Sequence, residues 1–108
     1  MANNYKFKGV ALATTDETAL LTAASTETII IKSIRITNNT SNTPTISMDV
    51  SDNSASAEYT ILKTQTLTAN TALELLTVPL ILESLDALKV TMSATDSTHI
   101  GISYLVIT

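Results

Sequence analysis

The chain of 108 residues contains no cysteine, so neither a disulfide nor a thiolate-based zinc site can form in it. Only two glycines and two prolines occur, which leaves Asn, Asp, Ser and Thr to form most of the turns. No apolar run is long enough for a membrane-spanning helix, and the start, MANNYKFKGV, lacks the basic-then-apolar pattern of a signal peptide. We therefore expect one domain over residues 1–108 that is not secreted by a signal sequence.

Charge and aromatic side chains are also scarce. Charged residues make up 15% of the chain, the formal net charge is -4, and one Phe and three Tyr are present. The six cationic residues form no run, which argues against nucleic-acid binding, because that needs a basic patch with stacking aromatics. Uncharged polar faces cost less to bury than charged ones, so this composition favours protein neighbours.

Short alternating segments dominate what is present. Apolar residues recur at every second position, as strand side chains on one face do. The clearest runs are Ile46/Met48/Val50, Leu88/Val90/Met92 and Ile100/Ile102/Tyr104/Val106. Polar turns separate about eight such segments at spacings of about 8–12 residues. The sequence predicts an all-β, antiparallel β-sandwich of jelly-roll type.

The C-terminal stretch from Val78 to Ile107 is predicted as a β-hairpin around which the other strands are arranged. Its core would consist of Leu88, Val90, Ile102 and Tyr104. The turn before it reads Glu-Ser-Leu-Asp at positions 83–86, where the aspartate can accept backbone amides.

Three local features have competing interpretations. Ile29 and Ile31 are out of phase with Ile34 and Ile36. Either both faces of this strand are buried, or a β-bulge near Lys32-Ser33 shifts the phase. Residues 15–24 could form a helix. The segment is short and rich in threonine, so we predict a strand over 19–22 instead. In the first strand, Tyr5 and Phe7 should share one face, and Lys6 and Lys8 the other.

No set of residues indicates catalysis. His99 is the only histidine and has no second histidine or cysteine to share a metal with. Asp49, Asp52 and Asp86 lie outside any twelve-residue calcium loop, and Glu83 with Asp86 lies in a turn that we expect to be solvated. We predict no catalytic, cofactor-binding or metal site, and a protein that is not an enzyme.

The three tyrosines, Tyr5, Tyr59 and Tyr104, are scattered along the chain. They could form a platform for sugars, but we expect them in the core or at an interface.

Three segments, taken in order, carry a family resemblance. They are YKFKGVALATTDETALLTA, TIIIKSIRITNNTSNTPTISMDVSD and LELLTVPLILESLDALKVTMSATDSTHIGISYL. Together they cover nearly the whole chain, which resembles the small β-sandwich virion structural proteins of tailed bacteriophages, particularly those of cyanophages and other marine phages. In that family the turn before the last strands commonly reads Glu-x-Gly-Asp, and here Leu85 stands in the glycine position.

The resemblance implies a structural protein present in many copies on a virion assembled in the host cytoplasm. A capsid decoration or cement protein that binds the major capsid protein or another virion protein is expected, as a homo-oligomer such as a trimer. A tail, neck or fibre component and a carbohydrate-binding module of a tail tip are the alternatives. Neither nucleic acid nor a membrane is an expected partner.

Overall fold

A computed structural model of the chain describes residues 2–108, which form nine strands joined by turns. The strands are β1 Asn3–Leu12, β2 Thr18–Thr22, β3 Thr28–Asn38, β4 Thr45–Asp52, β5 Ala57–Thr66, β6 Ala72–Glu74, β7 Leu80–Leu82, β8 Ala87–Met92 and β9 Thr98–Ile107. Met1, which the predicted domain includes, lies outside the described residues. No helix that is long and apolar enough to cross a membrane occurs between residues 2 and 108.

The strands form two antiparallel sheets that pack face to face. In the β1 sheet the order is β1-β9-β3, and both β6 and β7 pair with the far edge of β3. In the β2 sheet the order is β2-β8-β4-β5. Apart from β4–β5 and β6–β7, successive strands lie in opposite sheets, as in a jelly roll. The predicted β-sandwich of jelly-roll type is confirmed.

The structure has nine strands rather than about eight because two short strands, β6 and β7, occupy the place of one edge strand in the β1 sheet. β6 and β7 lie one after the other along β3. Pro79 stands directly before β7 and has no amide to donate, so it breaks the pairing between them.

The predicted C-terminal hairpin is wrong. β8 pairs with β2 and β4, whereas β9 pairs with β1 and β3, so the turn between them passes from one sheet to the other. The predicted core residues are correct: Leu88, Val90 and Ile102 are buried, and Tyr104 packs half-buried against them. The alternating pattern shows which side chains point into the core. It does not show whether two neighbouring segments pair in one sheet or lie in opposite sheets of the sandwich, because both arrangements bury the same side chains.

The bulge at Lys32-Ser33 is confirmed. The register between β3 and β9 shifts between Ile31 and Ser33, and Lys32 remains exposed. The shift brings two isoleucines on each side of the bulge into the same core. The strand predicted in place of a helix is also confirmed, as β2. The largest fully buried side chains are Leu20, Ile31, Ile34, Ile36, Ile46, Met48, Leu67, Leu82, Leu88, Ile100, Ile102 and Val90.

The turn at 83–86 connects β7 in the β1 sheet with β8 in the β2 sheet. As predicted, the Asp86 carboxylate accepts backbone amides, from Glu83 at 3.0 Å and from Asn53 at 2.9 Å. The expectation that this turn is solvated is wrong for Asp86, which is 5% exposed. Leu85 has φ 68°, the left-handed conformation that glycine would adopt without strain.

Candidate functional site

The outer face of the β1 sheet carries a row of apolar side chains. Register partners place Tyr5 beside Leu105, Leu105 beside Ile30, and Ile30 beside Ile81, so the row crosses β1, β9, β3 and β7. Its two ends are the most open: Tyr5 is 77% exposed and Ile81 58% exposed. We call these four residues the apolar row. Its side chains point away from the core. Leu105 is nevertheless 9% exposed and Ile30 is half-buried, so only the two ends would need another molecule to become buried.

The row ends at β1, which is a long and regular edge strand. All ten residues of β1 pair with β9 without a register shift. Residues 3–9 are exposed on both faces, and the side of β1 away from β9 has no neighbouring strand among the described residues. Backbone groups along such an edge are free to pair with another strand.

The other edges are less suited to pairing. β6 and β7 have three residues each, and β2 has five with a register shift. β5 has ten residues, but its register with β4 shifts twice, and Thr64 has φ 49°. Short strands and bulges are features that limit edge-to-edge association.

The side chains of β1 alternate as predicted. Tyr5 and Phe7 lie on the outer face, whereas Lys6 and Lys8 lie on the inner face. The Nζ atom of Lys8 donates a hydrogen bond of 2.8 Å to the carbonyl oxygen of Leu20 in the β2 sheet. We expected the tyrosines in the core or at an interface. Tyr5 and Tyr59 are exposed, so neither belongs to the core.

Next to the apolar row, the only two glycines of the chain face each other. Gly9 on β1 is the register partner of Gly101 on β9, and the side chain of Phe7 leans over the pair. The ring atoms Cε1 and Cζ lie 3.0 and 3.2 Å from the position that a Cβ atom on Gly101 would occupy. Gly101 therefore allows a close approach between ring and backbone that no other residue allows without a shift.

The glycine pair forms the floor of a shallow groove of about 600 Å³, which we call the glycine groove. Phe7 forms part of its wall. Polar side chains reach it from the neighbouring strands β3 and β9. These polar residues are Ser33, Arg35, Thr37, His99 and Ser103.

Arg35 has no carboxylate within ion-pair distance in the part of the chain from residue 2 to 108. Its register partner on β6, Glu74, instead accepts hydrogen bonds from the Ser33 hydroxyl and, at 2.8 Å, from the backbone amide of Ile34. No aspartate or glutamate lines the glycine groove. The groove therefore presents an unpaired cation on a protein whose net charge is negative.

The other titratable residues considered from the sequence do not converge on one place. Asp52 accepts a hydrogen bond from the Ser54 hydroxyl at 2.9 Å, and Asp96 accepts one from Asn42 at 2.7 Å. Within residues 2–108 no group of three or more His, Asp or Glu side chains could hold a metal ion. His99 lies exposed beside the glycine groove, so the structure gives it a neighbourhood that its position in the sequence did not indicate.

A small ion-pair cluster lies on the outer face of the β2 sheet. Lys89 donates to Glu58 at 3.0 Å and approaches Glu17 at 3.7 Å. The hydrogen bond and the negative charge of Glu58, with a smaller effect from Glu17, raise the pKa of Lys89 above its ordinary value. This cluster joins β8 to the edge strand β5 and is a structural contact.

No family model matches the chain, and no curated protein matches it. Among solved structures, the chain is similar to the CBM22-1 and GH10 modules of the Clostridium thermocellum xylanase Xyn10B, determined with xylohexaose, at 16% identity and a TM-score of 0.46. The match covers 80% of this chain and 17% of the xylanase chain. At this level of similarity we draw nothing from it about ligand or activity.

Proposed function

We propose that the chain is a non-enzymatic structural protein of a tailed-bacteriophage virion, a decoration protein that binds the major capsid protein or another virion protein and stabilises the finished shell. The virion assignment rests on the family resemblance of the sequence. The role as a component of an assembly rests mainly on the apolar row. This row leaves Tyr5 and Ile81 exposed on the outer face of a sheet, where an isolated domain does not need large apolar side chains.

The open edge of β1 supports the same role. A strand of the partner can pair with the free backbone groups of β1, and such main-chain hydrogen bonds give affinity while side-chain pockets give specificity. Tyr5 belongs to both features, since it lies on β1 and at the end of the apolar row. A partner that pairs with β1 would therefore also cover part of the row.

The charges of β1 favour a partner strand of a different sequence. In an antiparallel pair of two β1 strands centred near Phe7, the lysines at 6 and 8 would lie opposite the same lysines of the other copy. Like charges directly opposite each other destabilise a strand pair. A partner strand with carboxylates at alternate positions would instead complement Lys6, which is exposed and unpaired within residues 2–108. The expected homo-oligomer, for instance a trimer, would use another surface.

The location on the virion decides between this proposal and its main alternative, a tail, neck or fibre component. Purified particles should be analysed by quantitative mass spectrometry and by electron cryo-microscopy. We expect density spread over the shell and a stoichiometry comparable with that of the major capsid protein. Density confined to one vertex or to the tail would transfer the protein to the tail or neck and would leave the structural class intact.

Deletion of the gene gives a second test. Particles without the protein should assemble but lose their contents at a lower temperature, because a decoration protein stabilises only the finished lattice to which it binds. Adding the purified protein back should restore the heat resistance. A deletion that blocks assembly altogether, or leaves heat resistance unchanged, would contradict the role as a decoration protein.

A further inference from the structure

The glycine groove combines a flat apolar wall, free hydroxyl groups and a cation without a counterion. Its volume of about 600 Å³ lies in the range of small-molecule sites in proteins, which is about 300–1,000 Å³. We propose that the groove binds an acidic saccharide, a sugar of the uronic-acid class. The groove lies next to the apolar row on the same outer face of the β1 sheet but shares none of its four residues, and the proposal does not rest on the virion assignment.

The wall suits a sugar ring. Phe7 is 70% exposed although its ring lies close to Gly101, so part of its surface remains open to a ligand. A pyranose ring presents C–H groups on one face, and these pack against an aromatic ring. The missing side chains at Gly9 and Gly101 let the Phe7 ring lie close to the backbone of β1 and β9, so the ring forms a low wall beside the open part of the groove.

The polar rim suits hydroxyl groups. Within residues 2–108, the side chains of Thr37, His99 and Ser103 make no hydrogen bond with other protein groups. They line the groove from two neighbouring strands, so one ligand can reach more than one of them. A sugar carries several hydroxyls that both donate and accept, which matches this mixed set of side chains.

Arg35 selects the acidic class. A guanidinium group binds a carboxylate through two parallel hydrogen bonds, and such charge-assisted pairs are stronger than neutral ones. No carboxylate lines the groove itself, and the nearby Glu74 is held by hydrogen bonds from Ser33 and Ile34 and forms no ion pair with Arg35. A nucleic acid is a poorer candidate, because one arginine beside one phenylalanine does not form a basic track for a phosphate backbone.

The test uses the full chain and two matched probes, a trimer of galacturonic acid and the corresponding neutral trimer of galactose. NMR titration should shift the amide signals of Gly9, His99 and Gly101 with the acidic trimer. Calorimetry should show the neutral trimer binding at least about tenfold more weakly, since it cannot form the charge-assisted pair. Absence of these shifts with the acidic trimer would overturn the proposal.

Variants separate the contributions of the groove residues. Arg35→Gln should remove the preference for the acidic trimer, whereas Phe7→Leu should weaken the binding of both trimers. Lys6→Gln serves as the matched control, because it removes one positive charge from the opposite face of β1, and should leave the affinity unchanged. A preference that survives Arg35→Gln, or that Lys6→Gln removes equally, would contradict the assignment.

A further comparison separates a saccharide from a simple anion. Inorganic phosphate and acetate should compete with the acidic trimer only weakly, since they cannot pack against Phe7. If either anion displaces the trimer at equal concentration, the groove is an anion site without specificity for sugars, and the proposal fails. Arg35 is exposed, so its variant should keep the circular-dichroism spectrum of the parent chain.

Discussion

The outer faces of the two sheets differ sharply at corresponding positions. The row that crosses the β1 sheet is apolar and consists of Tyr5, Leu105, Ile30 and Ile81. The row that crosses the β2 sheet contains the polar residues Lys89, Asp49 and Thr60, with only the small Ala19 at its β2 end. Both sheets contribute inner-face side chains to the same apolar core, so the difference does not come from the core. This difference is the one expected if, as we propose, the β1 sheet faces a partner and the β2 sheet faces water.

The two long edge strands differ in the same sense. β5 is interrupted by register shifts, and its Glu58 is joined to Lys89 by an ion pair. β1 has an unbroken register and carries no ion pair among the described residues. Irregularity protects an edge from unwanted pairing. The molecule thus protects one long edge and leaves the other free.

The largest expected effect tests the point that both sheets contribute to one core. Val90→Asp in the β2 sheet should unfold the protein, because an unpaired carboxylate at a site that is 1% exposed costs at least about 3 kcal/mol. Ile102→Asp should do the same in the β1 sheet. Circular dichroism and denaturant titration check both variants.

Thr91→Asp is the matched control for Val90→Asp. It places the same charge on the neighbouring residue of β8, which points to the outer face, and should fold. A soluble, fully folded Val90→Asp protein would show that the inward face of β8 has been assigned wrongly.

The next effect tests the contrast between the outer faces directly. Tyr5→Asp or Ile81→Asp should weaken binding to virus particles by at least about tenfold, since each removes an exposed apolar contact and adds a charge that must be desolvated. Thr60→Asp introduces the same charge on the outer face of β5 and should bind normally. Binding is measured by co-sedimentation with particles that lack the protein. If all three variants bind equally weakly, the outer faces of the two sheets do not differ in their contribution to binding.

A stabilising change lies in the turn that joins the two sheets. Leu85→Gly should raise the free energy of unfolding by about 0.5–1 kcal/mol, because relief of the left-handed strain exceeds the entropy cost of glycine. Leu85→Ala removes the side chain and keeps the strain, so it should give no such gain. If the alanine variant is the more stable of the two, strain at this position is not the cause.

The two glycines allow a finer test of the glycine groove. Gly101→Ala should displace the Phe7 ring and cost up to about 1 kcal/mol, since the added methyl group would lie 3.0 Å from the ring. Gly9→Ala meets the same ring at an ordinary 3.6 Å and should leave it in place. Ring signals in NMR spectra and denaturant titration distinguish the two outcomes.

The smallest effect concerns the ion pairs of the β2 sheet. The pKa of Lys89 is raised in the folded state, so its contribution to stability is complete below the unfolded value of 10.5 and is lost as the pH rises through the folded value. Lys89→Met should therefore make the free energy of unfolding less dependent on pH in the alkaline range. At neutral pH it should lower this free energy slightly, and added salt should reduce the difference from the parent chain by screening the ion pairs. Lys63→Met, on β5 without an ion pair among residues 2–108, should leave that profile unchanged.

Much of the fold was predictable because its causes are local. The phase change between Ile31 and Ile34 indicated either a bulge or a strand buried on both faces, and the bulge is the one present. The alternation around Val90 and Ile102 predicted the core. Asp86 was correctly expected to cap its turn. Each of these follows from the period of two in a strand or from turn chemistry within a few residues.

The glycine groove was not predicted, although two glycines within strand segments were a usable signal. A glycine inside a strand often marks a place where other atoms approach the backbone closely. To connect Gly9 with Gly101 requires the register of β1 on β9, and these strands lie at opposite ends of the chain. Arg35 enters the same groove from a third strand, so no local pattern could place it beside Phe7.

By itself the sequence determined which side chains of the alternating runs point inward, roughly where most strands lie, and that the fold is an all-β sandwich, because these depend on periodicity and turn residues. Only the tertiary structure decided that β8 and β9 belong to different sheets, that the apolar row lies across four strands, and that the β1 edge is free. Strand partners are chosen by the burial of the whole chain at once. A segment carries the pattern of its own faces, but not the identity of the strand that will lie beside it.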